Sequence, residues 1–212
     1  MKINWLGHAS FLINSHGHRL ITDPCDERCG YQPWHEAVDV ATVSHDHYDH
    51  NAVDHLMGDP RIVKEELNPI NVHGFTIQGF RSYHDKKQGQ ERGHNYIYKI
   101  TAENMDLLHL GDQGTLLDES LIEQIGNVDI MMVPVGGRYT VDAAEAAVLV
   151  DQLQPRIVIP MHYKTPQGTV QVAPVEDFLS RYDQVVKCPV LTITAQELPK
   201  ARQIIVLELF TG

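Results

Sequence analysis

The chain has 212 residues, 42% of them hydrophobic, enough for one sizeable core and too little for two ordinary domains, so a single domain over 1–212 is expected. A formal charge of −11, from 28 acidic against 17 basic residues, argues against a duplex-binding surface or a polybasic membrane anchor, since both need clustered Lys and Arg. Cys25, Cys29 and Cys188 are too few and odd in number for a secreted disulfide framework. The opening residues lack a signal-peptide core and no apolar run approaches membrane-spanning length, so the expected compartment is the cytoplasm.

In chain order, "SFLIN" and "RLITD" read as strands flanking "SHGH", whose glycine suits a hairpin turn with His16 and His18 in solvent. "VDVATVS" runs into the histidine-rich stretch "HDHYDH", with Asp54 and His55 on a helix beyond it. "GFTIQGF" leads to His84, "NYIYKI" follows a polar loop, and "MDLLHLGD", "VDIMMVPVGG" and "RIVIPMH" are apolar runs of strand length. Two helical patterns lie between them. "TLLDESLIEQIG" places Leu117, Leu121 and Ile125 at intervals of four and stops at Gly126. "TVDAAEAAVLVDQLQP" puts Ala143, Ala147, Val150 and Leu153 on one face, with Thr140 to cap its start and Pro155 to end it. Strands first and alternating strands and helices later suggest sheets covered by helices.

Metal-competent side chains fall where these strands stop. His45 closes "VDVATVS", His84 follows "GFTIQGF", Asp112 follows "LLHLG" and His162 follows "VIPM", a pattern that suits convergence on one edge of a sheet. In an extended stretch, residues two apart project to the same side, so His45 and His47 can chelate one ion while Asp49 and His50 face a second.

The motif "HDHYDH", followed in order by His84 in "SYHD", Asp112 in "HLGD" and His162 in "PMHY", resembles that of the metallo-β-lactamase superfamily. "WLGHASFLI" with "ITDP", the "PVGGRYT" loop and "PMHYKT" resemble its small single-domain branch of zinc- or metal-dependent hydrolases. The resemblance implies an α/β (α+β) fold, a four-layer αββα sandwich, with two divalent ions. Zn²⁺ comes first, with Mn²⁺, Fe or Ni²⁺ also acceptable to imidazole and carboxylate ligands. It assigns His45, His47 and His84 to one ion, Asp49, His50 and His162 to the other, and Asp112 as a bridge. Asp49 also orients the attacking water, and Asp23 of "ITDP" steadies the ligand loop.

Departures from other relatives narrow the activity. His47 stands where a flavodiiron member carries Glu, and Asp112 where the commonest secreted β-lactamases carry Cys. Glyoxalase II and the RNA-processing nucleases add segments for which this chain has neither the length nor a basic stripe. The expected activity is hydrolysis of an ester, lactone or phosphodiester, with no nucleic-acid partner and no membrane insertion. The competing class is a non-catalytic metal-binding or sensory protein on the same fold.

Further residues carry weaker signals. His8 of "LGHAS", and Arg138 and Tyr139 after the flexible Gly136-Gly137 pair, are candidates to contact substrate or support the ligands. His109, two residues before Gly111, points either into the site or into the core. Lys86, Lys87 and Arg92 beside His84 read first as solvated surface, with attraction of an anionic small-molecule substrate as the alternative. Cys25 and Cys29 lack zinc-site spacing and read as an incidental pair.

Overall fold

The computed structural model describes residues 1–211. Its strands, in chain order, are β1 (Lys2–Gly7), β2 (Ser10–Ser15), β3 (His18–Thr22), β4 (Val40–Val43), β5 (Arg61–Lys64), β6 (Ile70–Val72), β7 (Phe75–Tyr83), β8 (His94–Ala102), β9 (Met105–His109), β10 (Ile130–Pro134), β11 (Ile157–Met161), β12 (Val185–Cys188), β13 (Leu191–Thr192) and β14 (Gln203–Leu207). The helices are α1 (Glu119–Ile125), α2 (Ala143–Leu153) and α3 (Glu176–Leu179). One sheet has the order β13-β1-β2-β3-β4-β5 and the other β12-β14-β11-β10-β9-β8-β7-β6.

Period-two alternation sets how the first sheet is covered. Phe11 and Ile13 of β2, Leu20 of β3 and Val40 of β4 face the main core shared with the second sheet. Their neighbours Leu12, Ile21 and Ala41 face the other way, under Trp34, Leu56 and Phe210. In β10 and β11 every residue is buried, as parallel strands covered on both faces require.

The fold is the expected α/β sandwich, but its outer layers are unequal. The second sheet carries the helices, with α2 packed on β10 and α3 on α2. The first sheet is covered by loop segments with 3₁₀ turns at Glu27–Cys29 and Val53–His55. The helix expected to carry Asp54 and His55 is therefore a single turn, with both side chains exposed.

Two helix starts also differ from the sequence reading. At α2 the cap is Asp142, whose carboxylate accepts from the Ala144 and Glu145 amides while Glu145 returns a bond to the Asp142 amide. This reciprocal pair prevails over Thr140, which stays buried outside the helix. Pro155 stops α2, with Gln154 as its left-handed C-cap (φ 47). At α1 the cap is Asp118, which places Leu117 ahead of the helix while keeping it buried.

"SHGH" forms the expected hairpin, with Ser15 paired to His18 and positive φ at His16 (49) and Gly17 (85). His16 is exposed, whereas His18 is half-buried.

Candidate metal centre

Seven segments end on the same edge of the sandwich: His8 follows β1, Asp23 follows β3, His45 follows β4, His84 follows β7, Asp112 follows β9, Tyr139 follows β10 and His162 follows β11. Two cross-sheet bonds close this edge, from the Tyr96 amide to the Ser44 carbonyl at 2.8 Å and from the His162 amide to the His8 carbonyl at 3.1 Å. Gly111, with φ +55, lets the end of β9 pass against Asn95 and Ser44, where any Cβ would collide with both.

Asp112 is the meeting point of the residues around it. Its Oδ2 lies 3.3 Å from His84 Nε2, 3.4 Å from His162 Nε2 and 3.8 Å from His45 Nε2, while Oδ1 lies 3.2 Å from His50 Nε2. On one side, ligand atoms of His45, His47 and His84 lie within 4.8 Å of one another; on the other, those of His8, His50 and His162 do the same. Asp49 Oδ2 stands 3.3 Å from His8 Nε2 and 3.9 Å from His50 Nε2. "HDHYDH" reaches both groups because it turns tightly, with the His50 and Asn51 amides both bonded to the His47 carbonyl.

Buried polar atoms normally have partners. Here Nε2 of His8, His45 and His50, Oδ1 of Asp112 and Nδ1 of His162 are buried with no hydrogen-bond partner among the described residues. Nε2 of His45 and His50 are left bare and converge on Asp112, whose Oδ1 is bare as well, an arrangement that cation coordination satisfies, so the residues fit a metal.

The opposite ring nitrogens are tied down. Asp23 is fully buried and accepts the Ser44 amide at 2.7 Å, the Ser44 hydroxyl at 2.5 Å and His50 Nδ1 at 2.7 Å. Because the Ser44 hydroxyl donates to Asp23, the 2.9 Å contact between Ser44 Oγ and His45 Nδ1 requires the imidazole to donate. His84 Nδ1 donates to the Tyr139 carbonyl at 2.9 Å. In all three histidines Nδ1 is held by its partner, and Nε2 is the nitrogen turned toward the centre.

The charge balance agrees with the geometry. Burial and the neighbouring His50 hold His45 well below the usual imidazole range; burial and His162 push His8 down to about 4. Burial and His84 lower His47. At His50, burial opposes the charge, but Asp112 and Asp23 outweigh it and drive the imidazole well above its ordinary value. Burial likewise opposes ionisation of Asp112, and the surrounding His162 and His50 overcome it. Two buried carboxylates thus demand positive charge between them, while His8, His45 and His47 are kept neutral, the form that binds metal.

His109 lies outside the centre, contrary to one branch of the sequence reading. Its Nε2 bonds the Ala9 carbonyl at 2.8 Å and its Nδ1 accepts the Gly111 amide at 3.2 Å, so neither nitrogen is free for substrate. Lys86 and Lys87 are spent on Glu145 (2.5 Å) and Glu91 (2.6 Å). Arg92 instead lies over the Tyr139 ring at 3.3 Å, with Arg138 at 5.2 Å from the same ring. Cys25 and Cys29 are free thiols, buried with Tyr31.

Three supporting residues carried no signal that the sequence reading used. Ser44 directly precedes His45. Asn95 is wholly buried and its side chain bonds the Asp112 amide at 3.0 Å and the Leu110 carbonyl at 2.9 Å. Asp85 accepts the amides of Lys87, Gly89, Glu91 and Arg92, tying the loop after His84 into one turn; an Asp opening a Gly-rich polar loop is a signal for such a turn.

Comparison with known proteins follows the same outline. The pattern of the β-lactamase superfamily domain matches residues 2–162. A UPF0173 metal-dependent hydrolase of Carboxydothermus hydrogenoformans is 30% identical over 193 residues, covering 78% of this chain and 85% of that one. A Thermotoga maritima structure, assigned to the Zn-dependent hydrolases of the metallo-β-lactamase superfamily, has a TM-score of 0.82 at 33% identity and 97% coverage of both chains. Igni18, a metallo hydrolase of Ignicoccus hospitalis, shares the fold at a TM-score of 0.67 and 18% identity, covering 97% of this chain and 94% of its own. The chain therefore belongs to the metallo-β-lactamase superfamily, in the branch whose members are named UPF0173 metal-dependent hydrolases.

Proposed function

We propose that this protein is a binuclear metal-dependent hydrolase acting on a small ester, lactone or phosphodiester that carries negative charge. The observation that carries the reading is the ring of imidazole nitrogens around Asp112, with Nε2 of His45 and His50 and Oδ1 of Asp112 left without hydrogen-bond partners among the described residues. In this reading His45, His47 and His84 hold one ion, Asp49, His50 and His162 the other, and Asp112 stands between them. A donor set of imidazole and carboxylate without thiolate favours Zn²⁺, with Mn²⁺, Fe and Ni²⁺ as alternatives. When bound, the ions supply Lewis acidity and bring the pKa of a coordinated water towards neutrality.

The chain's own groups do the rest. Burial opposes the charge of Asp49, but His8 and His50 hold its carboxylate below the usual range, so it is an ionised acceptor able to orient water. Asp23 and Ser44 fix the ring planes of His50 and His45. Beside His45 and His47 lies a hollow of about 280 Å³ lined also by Lys64, Arg81 and Arg92 and by the acidic Asp46 and Glu65, with Lys64 paired to Asp46 at 3.2 Å. Arg81 and Arg92 have no acidic partner within ion-pair distance among the described residues, which favours an anionic substrate.

The test is a panel of lactones, thioesters and phosphodiesters, each in neutral and anionic form, assayed with Zn²⁺ and Mn²⁺ alongside metal analysis. Turnover that prefers anionic members, lost together with metal in His47→Ala and Asp112→Ala, is expected. Tight metal binding with no turnover across the panel would instead favour a non-catalytic metal-binding protein.

A further inference from the structure

A separate group of metal-competent side chains lies at the other end of the first sheet. His18 opens β3, Asp39 immediately precedes β4, and His73 sits in the turn between β6 and β7, a hairpin of the second sheet. β3 and β4 run parallel, and their far ends lead to Asp23 and His45. At about 3.3 Å per strand residue, this group is roughly 15 Å from the centre described above.

The three side chains face one another. His18 Nδ1 is 3.5 Å from Asp39 Oδ1, and the His18 and His73 rings have centroids 4.9 Å apart with 34° between their planes. One ligand atom from each residue lies within 4.8 Å of the other two. The carboxylate is already oriented, because the Arg19 amide donates to Asp39 Oδ2 at 2.7 Å and leaves Oδ1 towards His18. The Arg19 guanidinium is engaged with Glu36 at 2.5 Å and makes no ion pair with Asp39. Tetrahedral coordination with bonds of about 2.1 Å needs donors about 3.4 Å apart, a small inward adjustment for an exposed His73 on a hairpin turn.

We propose that His18, Asp39 and His73 form a peripheral site for a borderline divalent cation, Zn²⁺ above all, with solvent in the fourth position. Two imidazoles with one carboxylate select such a cation over Mg²⁺ or Ca²⁺, which prefer all-oxygen shells. An ion held there ties the first sheet to the β6–β7 hairpin of the second and stabilises the folded chain by mass action. The site binds without catalysing, and acts as a staple across the base of the sandwich.

The test is calorimetric titration of Zn²⁺ into the protein with its resident metal retained, paired with thermal unfolding at each Zn²⁺ concentration. One further equivalent, weaker than the resident metal, and a rise in Tm are expected; Mg²⁺ gives neither. His73→Ala and His18→Gln lose that equivalent and the rise in Tm while keeping resident metal and turnover. A parent protein that takes up nothing beyond its resident complement, or variants that keep the extra equivalent, would overturn the proposal. Because the readout is the difference between parent and variants at a place apart from the centre, it succeeds or fails independently of the hydrolase assignment.

Discussion

His50 Nδ1 lies 2.7 Å from Asp23 Oδ2, and neither side chain has any solvent exposure. Through the Ser44 hydroxyl the same carboxylate also governs His45, so one buried Asp orients a histidine on each side of Asp112. Asp23→Asn removes the charge with little change of shape. Metal affinity is expected to fall about 10–100-fold, measured by competition with a chromophoric chelator. Unchanged affinity in a folded Asn variant would reduce Asp23 to a packing residue.

Asn95 positions the Gly111-Asp112 turn through the Asp112 amide and the Leu110 carbonyl, both buried. Asn95→Leu leaves these groups bare, and the metal-free protein is expected to lose about 3 kcal/mol in urea unfolding. Using the metal-free form separates this loss from any change in metal binding.

His109 bridges the Ala9 carbonyl and the Gly111 amide. His109→Phe is expected to cost about 2 kcal/mol of stability while leaving metal content per folded molecule intact. Loss of metal without loss of stability would return His109 to the centre.

Burial opposes the charge of Asp85, but the amides of Arg92, Lys87, Glu91 and Gly89 prevail and hold its carboxylate below the usual range. A carboxylate depressed in the folded state stabilises the fold above its unfolded pKa and ceases to do so as pH falls through the folded value. Asp85→Asn is therefore expected to be less stable than the parent by about 1–2 kcal/mol at neutral pH. The gap should close as pH drops below about 4, where the parent carboxylate also takes up its proton. Denaturant unfolding of both proteins across that range measures it; a gap independent of pH would mean that the charge of Asp85 is irrelevant to the loop.

The legible part of this protein was its strand ends. His45, His84, Asp112 and His162 each follow an apolar run, and chain order alone suggested that they meet. The supports were less legible: Asn95 acts through the Asp112 amide 17 residues away and leaves no local pattern, and Asp23 came into view only through the family resemblance, not through any local pattern of its own. His109 was ambiguous for a physical reason: alternation fixes which face a residue takes, but not whether a carbonyl waits there. At α2, Thr140 and Asp142 both suit a cap, and only the reciprocal Glu145 decides between them. His18 looked like a solvated turn residue because its partner His73 comes from the other sheet.

Four of the strand-end residues, His8 (φ 52), Asp23 (φ 38), Tyr139 (φ 65) and His162 (φ 53), hold left-handed backbone conformations that glycine adopts more readily. A chain selected only to fold would drift towards glycine there and towards apolar groups in place of imidazoles with bare nitrogens. This edge thus records a demand that folding does not make, and it marks where a stability-driven redesign of the protein would silently erase its chemistry.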